Sequence, residues 1–240
     1  MTLQLQEIDP AVDFPALLRC LLAAYASPPQ PLTEVFLPMR RLTPEAAASS
    51  LAEGAARLAL WHASDPTSHW QKVVDIETGR VSGGACWHIY DGDTFAGADA
   101  LEAVWYPDDG SRRFAEQALE SMARPRSQVA RRPHLYLNNV FTHPDYRRRG
   151  VWQQIMDWGT RKADKLGLEI FLDATPPGRP LYLANGLVEL AETVTAPATD
   201  SPDEAWMEMA EKVPPFTSFL MWRPVGGKYE EGRTIKPSLA

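Results

Sequence analysis

The sequence predicts an α/β fold in which about seven strands form a central sheet flanked by helices. Short runs of apolar or alternating residues are typical of strands, and stretches whose apolar residues recur at helical spacing lie between them. The predicted strands are 3–6, 72–76, 81–90, 134–141, 168–174, 188–196 and 218–224.

The predicted helices cover 14–26, 43–62, 112–122 and 151–166, and a short one lies in LYLANGL, 181–187. Thr43 followed by a proline indicates a helix start, and Gly167 indicates the end of the helix at 151–166. ETGR, between the strands at 72–76 and 81–90, predicts a hairpin turn.

With 240 residues, of which 45% are hydrophobic and 23% charged, the chain is long enough to bury a core of its own. We expect a single domain over 1–224, with 91–133 as an insertion between the third and fourth strands and 225–240 as a poorly packed tail. Cys20 and Cys86 are far apart and lack metal-ligand spacing, so we expect reduced thiols and no metal site.

The formal charge of −7 argues against a nucleic-acid-binding surface, because phosphate contacts need clustered basic residues over an extended face. The N-terminus carries acids, and no apolar run has the length that a membrane span needs. We therefore expect a cytoplasmic protein that acts on a small molecule, with no nucleic-acid or membrane partner. The oligomeric state is left open.

Residues 143–154, HPDYRRRGVWQQ, place three arginines and a glycine directly before a predicted helix. A helix N-terminus exposes unpaired N–H groups and carries about half a positive charge, so adjacent arginines are unfavourable unless an anion binds there. Gly150 would let an anion approach the backbone. This pattern suggests a phosphate site, and a solvated basic turn is the alternative.

Together, the strand, HPDYRRRGVW, helix, strand, Pro-Gly loop and LYLANGL resemble the GCN5-related N-acetyltransferase (GNAT) family, particularly its fungal-type members. The resemblance is most specific over about 134–190 and implies a mixed, mostly antiparallel sheet with acetyl-CoA as co-substrate. The family motif Arg/Gln-x-x-Gly-x-Gly/Ala falls on Arg147, Gly150 and Trp152. By this resemblance, residues at the strand end and in the turn are expected to bind acetyl-CoA: Val140, Thr142, Arg147, Arg148, Arg149, Gly150, Val151, Trp152 and Gln153.

Trp152 stands where relatives have a small residue, so the pyrophosphate motif is a diverged one. The indole either fills the anion site or points into the core and leaves the backbone N–H accessible.

Catalytic candidates also follow from the resemblance. Tyr182 matches the tyrosine that protonates the departing thiolate, and Asp173 ends a strand at the edge where substrate enters, which makes it a candidate base. A packing aromatic and a solvated carboxylate are the alternatives. His88 and His134 are further acid–base candidates, although strand histidines often belong to a core.

Many relatives carry an acid on the fourth strand, but here Asn138 stands there and cannot take a proton at neutral pH. We expect Asn138 to contact the acceptor substrate, and Trp87, Trp105 and Trp222 to line an apolar pocket for it. Aromatic residues at strand spacing also pack in cores, which is the alternative.

We expect an acyl-CoA-dependent N-acyltransferase, an acetyltransferase, that acts on a small amine by direct transfer without a covalent enzyme intermediate. The alternative is an enzyme of the same fold that no longer uses acetyl-CoA. It would catalyse a cyclisation, elimination or decarboxylation in a biosynthetic pathway, with Trp152 blocking the old pyrophosphate site. A non-catalytic binding module is the third possibility.

Overall fold

The computed structural model describes residues 2–38, 43–96 and 102–239. These residues form seven strands in a mostly antiparallel sheet, together with flanking helices, as the sequence predicts. The strands are β1 Leu3–Glu7, β2 Ser68–Asp75, β3 Arg80–Tyr90, β4 His134–Thr142, β5 Glu169–Ala174, β6 Val188–Thr195 and β7 Phe216–Arg223. The helices are α1 Phe14–Tyr25, α2 Leu32–Phe36, α3 Pro44–Ser64, α4 Gly110–Val129, α5 Val151–Leu166, α6 Arg179–Ala184 and α7 Glu204–Lys212.

The chain divides into two compact units. The first unit contains Met1–Thr33, Leu37–Ile89 and Leu135–Lys162, and the second contains Glu34–Phe36, Tyr90–His134 and Ala163–Ala240. The proposed single domain over 1–224 remains a prediction.

In the first unit the strands follow the order β1-β2-β3-β4. Strand β2 pairs antiparallel with both β1 and β3, and Ser68 lies opposite His88 in the β2–β3 register. Helices α1 and α3 pack on each other, and the Phe14 ring of α1 meets Trp70 of β2 edge-on with ring centroids 5.5 Å apart. The apolar face of α1 is therefore part of the core of this unit.

Two glycine positions bring α5 close to β3. A Cβ at Gly83 of β3 would lie 2.5 Å from Val151 Cγ1, at the start of α5. Further along α5, a Cβ at Gly159 would lie 2.2 Å from the ring of Trp87 in β3. Trp87 is fully buried there and also contacts the Trp158 ring. These two contacts fix where α5 begins.

In the second unit the strands follow the order β5-β7-β6, all antiparallel. Asp203 links α4 to α7: one carboxylate oxygen accepts the N–H of Trp206 at 2.8 Å, and the other accepts the N–H of Gly110 at 2.9 Å and a bond from Arg113 at 2.8 Å. The backbone bond from Trp206 and the contacts with Arg113 and Gly110 lower the pKa of this carboxyl. Asp203 is thus held as a carboxylate where two helices begin.

Helix α7 was not predicted from the sequence, and the helix predicted for 112–122 is shorter than the observed α4, Gly110–Val129. Helix α7 lies in a segment expected to be an acidic connection, where Trp206 is buried and meets the Phe114 ring at 5.2 Å. Helix α4 continues beyond Pro125, which usually ends a helix. Its last turn carries Arg126, whose guanidinium forms an ion pair with Asp173 of β5 at 2.8 Å.

The tail predicted for 225–240 remains a prediction, and some of its described residues contact β7. It contains no helix or strand among its described residues, but the Tyr229 ring contacts Trp222 of β7 at 6.2 Å. The guanidinium of Arg223 lies over Gly227, where a Cβ would meet it at 2.1 Å. Packing against β7 therefore holds the first part of this segment.

Among the described residues, no helix combines the length and apolar character needed to cross a bilayer.

Replacing Gly159 by alanine is expected to destabilise the protein by about 1–3 kcal/mol, because the new methyl group overlaps the buried Trp87 ring. Alanine otherwise favours a helix over glycine by about 1 kcal/mol, so helix propensity alone predicts the opposite sign. Urea denaturation measures the difference. The matched control is Gly54→Ala in α3, whose Cβ would meet only the ends of side chains, Leu18 Cδ2 at 2.9 Å and Leu37 Cδ2 at 3.6 Å. An equal or larger loss in the control would contradict the prediction.

Replacing Asp203 by asparagine is expected to lower the free energy of unfolding at neutral pH. Because the folded pKa of Asp203 lies below the ordinary value of 3.8, its contribution is fully present above that value and is lost as the pH falls through the folded pKa. The difference between wild type and Asp203→Asn should therefore shrink below about pH 4. Denaturation at several pH values tests this, with exposed Asp200→Asn as control; a difference independent of pH would sink the idea.

Candidate active site

The turn between β4 and α5 has an unusual backbone. After Thr142 the chain makes a 3-10 turn at Pro144–Tyr146, and α5 begins at Val151. Arg148 has φ +59° and Gly150 has φ +84°, both in the left-handed region. Apart from its chain neighbours, no atom of the described residues lies within 4 Å of the place that a Cβ on Gly150 would occupy, so the backbone is open to a ligand there.

The first turn of α5 presents unused donors. The backbone N–H of Gln154 donates to the carbonyl of Gly150 at 3.1 Å. The N–H groups of Val151 and Gln153, which come before it, have no acceptor within the helix. The Val151 side chain is buried against β3, so this residue can offer a ligand only its backbone. The Gln153 amide donates along the helix to Asp157 Oδ1 at 2.7 Å, so here too the backbone N–H is the donor that faces outward.

The arginines of the turn have different surroundings. The Arg147 guanidinium donates through Nη2 to the carbonyl of Ala24 in α1, at 2.9 Å, and to that of Ser27 just after α1, so it ties the turn to this helix. Its predicted role in binding acetyl-CoA remains a prediction. Arg148 and Arg149 are exposed, and the guanidinium carbon of Arg149 lies 5.9 Å from the centre of the Tyr146 ring. Trp152 is half-buried.

The end of β4 leads into this turn. Val140 and Thr142 are half-buried, and the Tyr25 hydroxyl donates to the Val140 carbonyl at 3.2 Å. Two residues earlier lies the exposed Asn138, which interacts with the Cys86 thiol.

Strand β3 carries an imidazole with defined partners. His88 Nδ1 lies 3.1 Å from Asp65 Oδ2 and 3.1 Å from Thr67 Oγ1, and its Nε2 lies 3.5 Å from the sulfur of Cys86. Thr67 donates to Asp65 Oδ1 from both its hydroxyl, at 2.7 Å, and its N–H, at 2.8 Å. The His88 ring also lies beside Tyr136 of β4, with centroids 6.4 Å apart.

Burial and hydrogen bonding shift the pKa values of Asp65 and Cys86 in opposite directions. Burial raises the pKa of Asp65, but the hydrogen bonds from Thr67 and the interaction with His88 outweigh it, so the pKa lies below the ordinary value. Burial raises the pKa of the Cys86 thiol to about 12, and hydrogen bonds from Ser68 and Asn138 only partly oppose this. At neutral pH, Asp65 is therefore a carboxylate and Cys86 a protonated thiol.

In the second unit, Asp173 is not available as the predicted base. Arg126 Nη1 lies 2.8 Å from Asp173 Oδ2, and the two side chains are only 14% and 8% exposed. A carboxylate in a buried ion pair with arginine is a poor proton acceptor. The ion pair closes the last turn of α4 onto β5, which is a structural role.

The prediction for His134 is also wrong. The ring is fully buried, its Nδ1 lies 2.8 Å from the carbonyl of Arg132, and it packs against Tyr90 and Phe171. Burial lowers the pKa of His134, and Arg126 acts in the same direction against the bond to Arg132. His134 is therefore a neutral core residue.

Two of the predicted pocket tryptophans belong to the core. Trp87 and Trp222 are 0% and 1% exposed, and Trp222 Nε1 donates to Glu169 Oε1 at 3.1 Å. Strand aromatics on a covered face pack against the layer above them, so neither lines an open pocket. Trp105 is half-buried and donates to the Val35 carbonyl at 2.9 Å. Tyr182 is buried in α6.

Sequence analysis missed Asp65, Thr67 and the thiol beside His88. Cys86 and His88 are two residues apart on one strand, so their shared face was visible in the sequence. Asp65, which contacts His88, lies 23 residues earlier in the chain. This contact depends on how α3 leads into β2, so no local sequence pattern predicts it. Within residues 2–38, 43–96 and 102–239, no group of three or more His, Cys, Asp or Glu side chains could hold a metal ion.

Comparison with known proteins gives the family. The model of the "Acetyltransferase (GNAT) family" matches residues 38–186. Curated proteins gave no match.

Several solved structures share the fold. A Corynebacterium glutamicum protein, "histone acetyltransferase HPA2 and related acetyltransferase", is 21% identical and covers 96% of this chain and 99% of its own, with a TM-score of 0.55. A polyamine N-acetyltransferase from Drosophila melanogaster and a mosquito arylalkylamine N-acetyltransferase-like protein are each 15% identical and cover 92% of this chain and 99% of their own, both with a TM-score of 0.55. The likeness extends over nearly the whole chain, and with the family match it shows that this protein belongs to the acetyltransferase (GNAT) family.

Proposed function

We propose that the protein is an acyl-CoA-dependent N-acyltransferase, most simply an acetyltransferase, that transfers the acyl group directly to a small amine. The observation that carries this proposal is the turn before α5, where Arg148 adopts a left-handed backbone beside an open Gly150. A non-glycine residue in this conformation costs about 1–2 kcal/mol, and such strain is concentrated at ligand sites.

The groups at this turn fit a diphosphate. Outward N–H groups of Val151 and Gln153 and the positive end of the α5 dipole favour an anion, and the exposed Arg148 and Arg149 supply charged donors. Bound there, acetyl-CoA would supply the activated acyl group, and the backbone of β4 near Val140 and Thr142 would accompany its pantetheine arm, as the family resemblance implies. The side chain of Arg147 would instead steady the turn.

Amine acceptors fit what the structural relatives are named for. A Drosophila polyamine N-acetyltransferase and a mosquito arylalkylamine N-acetyltransferase-like protein share this fold. Transfer to an amine requires a group that removes a proton from the ammonium form and one that protonates the leaving thiolate. Tyr182 remains the proposed proton donor by resemblance. The base is neither Asn138, which has no basic group, nor Asp173, which Arg126 holds.

Titration calorimetry with acetyl-CoA tests the proposal, and we expect binding at micromolar concentration. Arg148→Gly should weaken it about 10- to 150-fold, because one charge-assisted contact of about 1.5–3 kcal/mol is lost. The same substitution should stabilise the unliganded protein by about 1 kcal/mol, because glycine adopts the left-handed backbone without strain.

The matched control is Arg161→Ala, which removes an equal charge from the exposed face of α5. Absence of wild-type binding at millimolar acetyl-CoA would remove the proposed function. Equal affinity in Arg148→Gly and Arg161→Ala would move the anion away from this turn.

Trp152→Gly separates acyl transfer from the alternative in which the indole blocks the site. If acetyl-CoA binds the turn, restoring the small residue at the motif position should leave its affinity unchanged or increase it, because a bulky side chain no longer limits the approach. Calorimetry on both proteins measures this. Binding that occurs only in Trp152→Gly would instead support a GNAT-fold enzyme that has abandoned acetyl-CoA for another reaction.

A further inference from the structure

The carboxylate–imidazole pair on β3 offers the base that the other candidates lack. We propose that His88 Nε2 accepts the proton of the incoming ammonium, and that Asp65 is the positioning residue that holds the imidazole in the required tautomer. This inference rests on the proposed acyl transfer and names the group that completes it.

The partners of Nδ1 determine the tautomer of the neutral His88 ring. Asp65 is a carboxylate and only accepts hydrogen bonds, so the nitrogen 3.1 Å from it, Nδ1, carries the hydrogen. The hydroxyl hydrogen of Thr67 is directed to Asp65 Oδ1, so Thr67 Oγ1 is also an acceptor toward Nδ1. In the neutral ring the lone pair therefore lies on Nε2.

One partner of Nε2 in the resting protein is a weak one. Nε2 lies 3.5 Å from the Cys86 sulfur, and a thiol is a weak hydrogen-bond donor. An ammonium is a stronger, charged donor, and in its place Nε2 accepts a short charge-assisted bond. Cys86 itself is only 2% exposed and stays protonated, which argues against a role as nucleophile.

His88 has neighbours on strand β4. The Tyr136 ring of β4 lies beside the imidazole, with centroids 6.4 Å apart. The Cys86 thiol, 3.5 Å from His88 Nε2, also interacts with Asn138 of β4. The imidazolium formed would be stabilised by Asp65, as in other carboxylate–histidine pairs.

The step balances as an ordinary acyl transfer. One ammonium proton moves to Nε2, and the freed nitrogen lone pair forms the bond to the thioester carbonyl carbon. The C–S bond breaks, and the sulfur leaves with its electron pair. The nitrogen loses a second proton and the sulfur gains one, so the products are the amide, the thiol and the imidazolium of His88. No oxidant or metal is needed.

The first test determines the tautomer of His88 by NMR and does not require enzyme activity. In protein labelled with ¹⁵N-histidine, the ring signals of His88 are assigned among the five histidines by their loss in His88→Gln. Wild type should show Nδ1 protonated and Nε2 unprotonated, and Asp65→Asn should shift the population toward protonated Nε2. The control is Asp145→Asn, which removes a carboxylate 3.6 Å from His143 Nδ1 and should leave the His88 signals unchanged. Unchanged His88 signals in Asp65→Asn would overturn the pair.

The second test measures acetyl transfer by variants of His88 and Asp65. With an amine that wild type acetylates, His88→Gln should lower kcat about 100- to 10,000-fold, and Asp65→Asn about tenfold or more, with little change in the KM for acetyl-CoA. Asp65→Glu should recover part of the loss. A kcat that survives in His88→Gln, or an acetyl group found on Cys86 by mass spectrometry, would overturn the base role while leaving the acyltransferase proposal intact. Loss of acetyl-CoA binding in wild type would remove both.

Discussion

The close approach of α5 to β3 is the contact on which the candidate site depends. Because Gly83 has no side chain, Val151 fits against the strand, and because Gly159 has none, the Trp87 ring fits beneath the helix. The helix is therefore held at two points, by the Val151 methyl group against Gly83 and by the Trp87 ring against Gly159. Its N-terminus, where Gly150 and Arg148 lie, is placed by packing and not by the turn itself. A protein with a net charge of −7 can hold an anion there because the positive end of the helix is local and fixed.

The arginines of the turn divide two tasks that the sequence alone cannot separate. Arg147 satisfies carbonyls left open at the end of α1, whereas Arg148 keeps a strained backbone and an exposed side chain. A helix end must find donors for its last carbonyls, and a neighbouring guanidinium supplies them. The described contacts of Arg148 include no hydrogen bond that would compensate for its strained backbone. The strain therefore supports a ligand site at this turn.

The fold could be predicted from the sequence because its elements carry local signals. Helix α5 has the predicted bounds, since the turn before it and Gly167 after it mark both ends. Helix α7 was missed because its acidic composition hid the Asp203 cap and the apolar pair Trp206 and Met209. The site was predicted less well. A buried strand tryptophan such as Trp87 has the same sequence pattern as one in a pocket, and the partners of Asp173 and His88 come from distant segments.

The pattern of catalytic candidates follows from which charged groups find a partner. Asp173 meets the guanidinium of Arg126 and is thereby held as a structural carboxylate. Asp65 meets an imidazole, which can both take and release a proton near neutral pH, so the same kind of pairing leaves a reactive group. An asparagine at position 138 is compatible with the proposed acyl transfer, because the proposed base, His88, lies on another strand, β3. The identity of the carboxylate's partner, more than the position of any acid in the sequence, decides where a base can form.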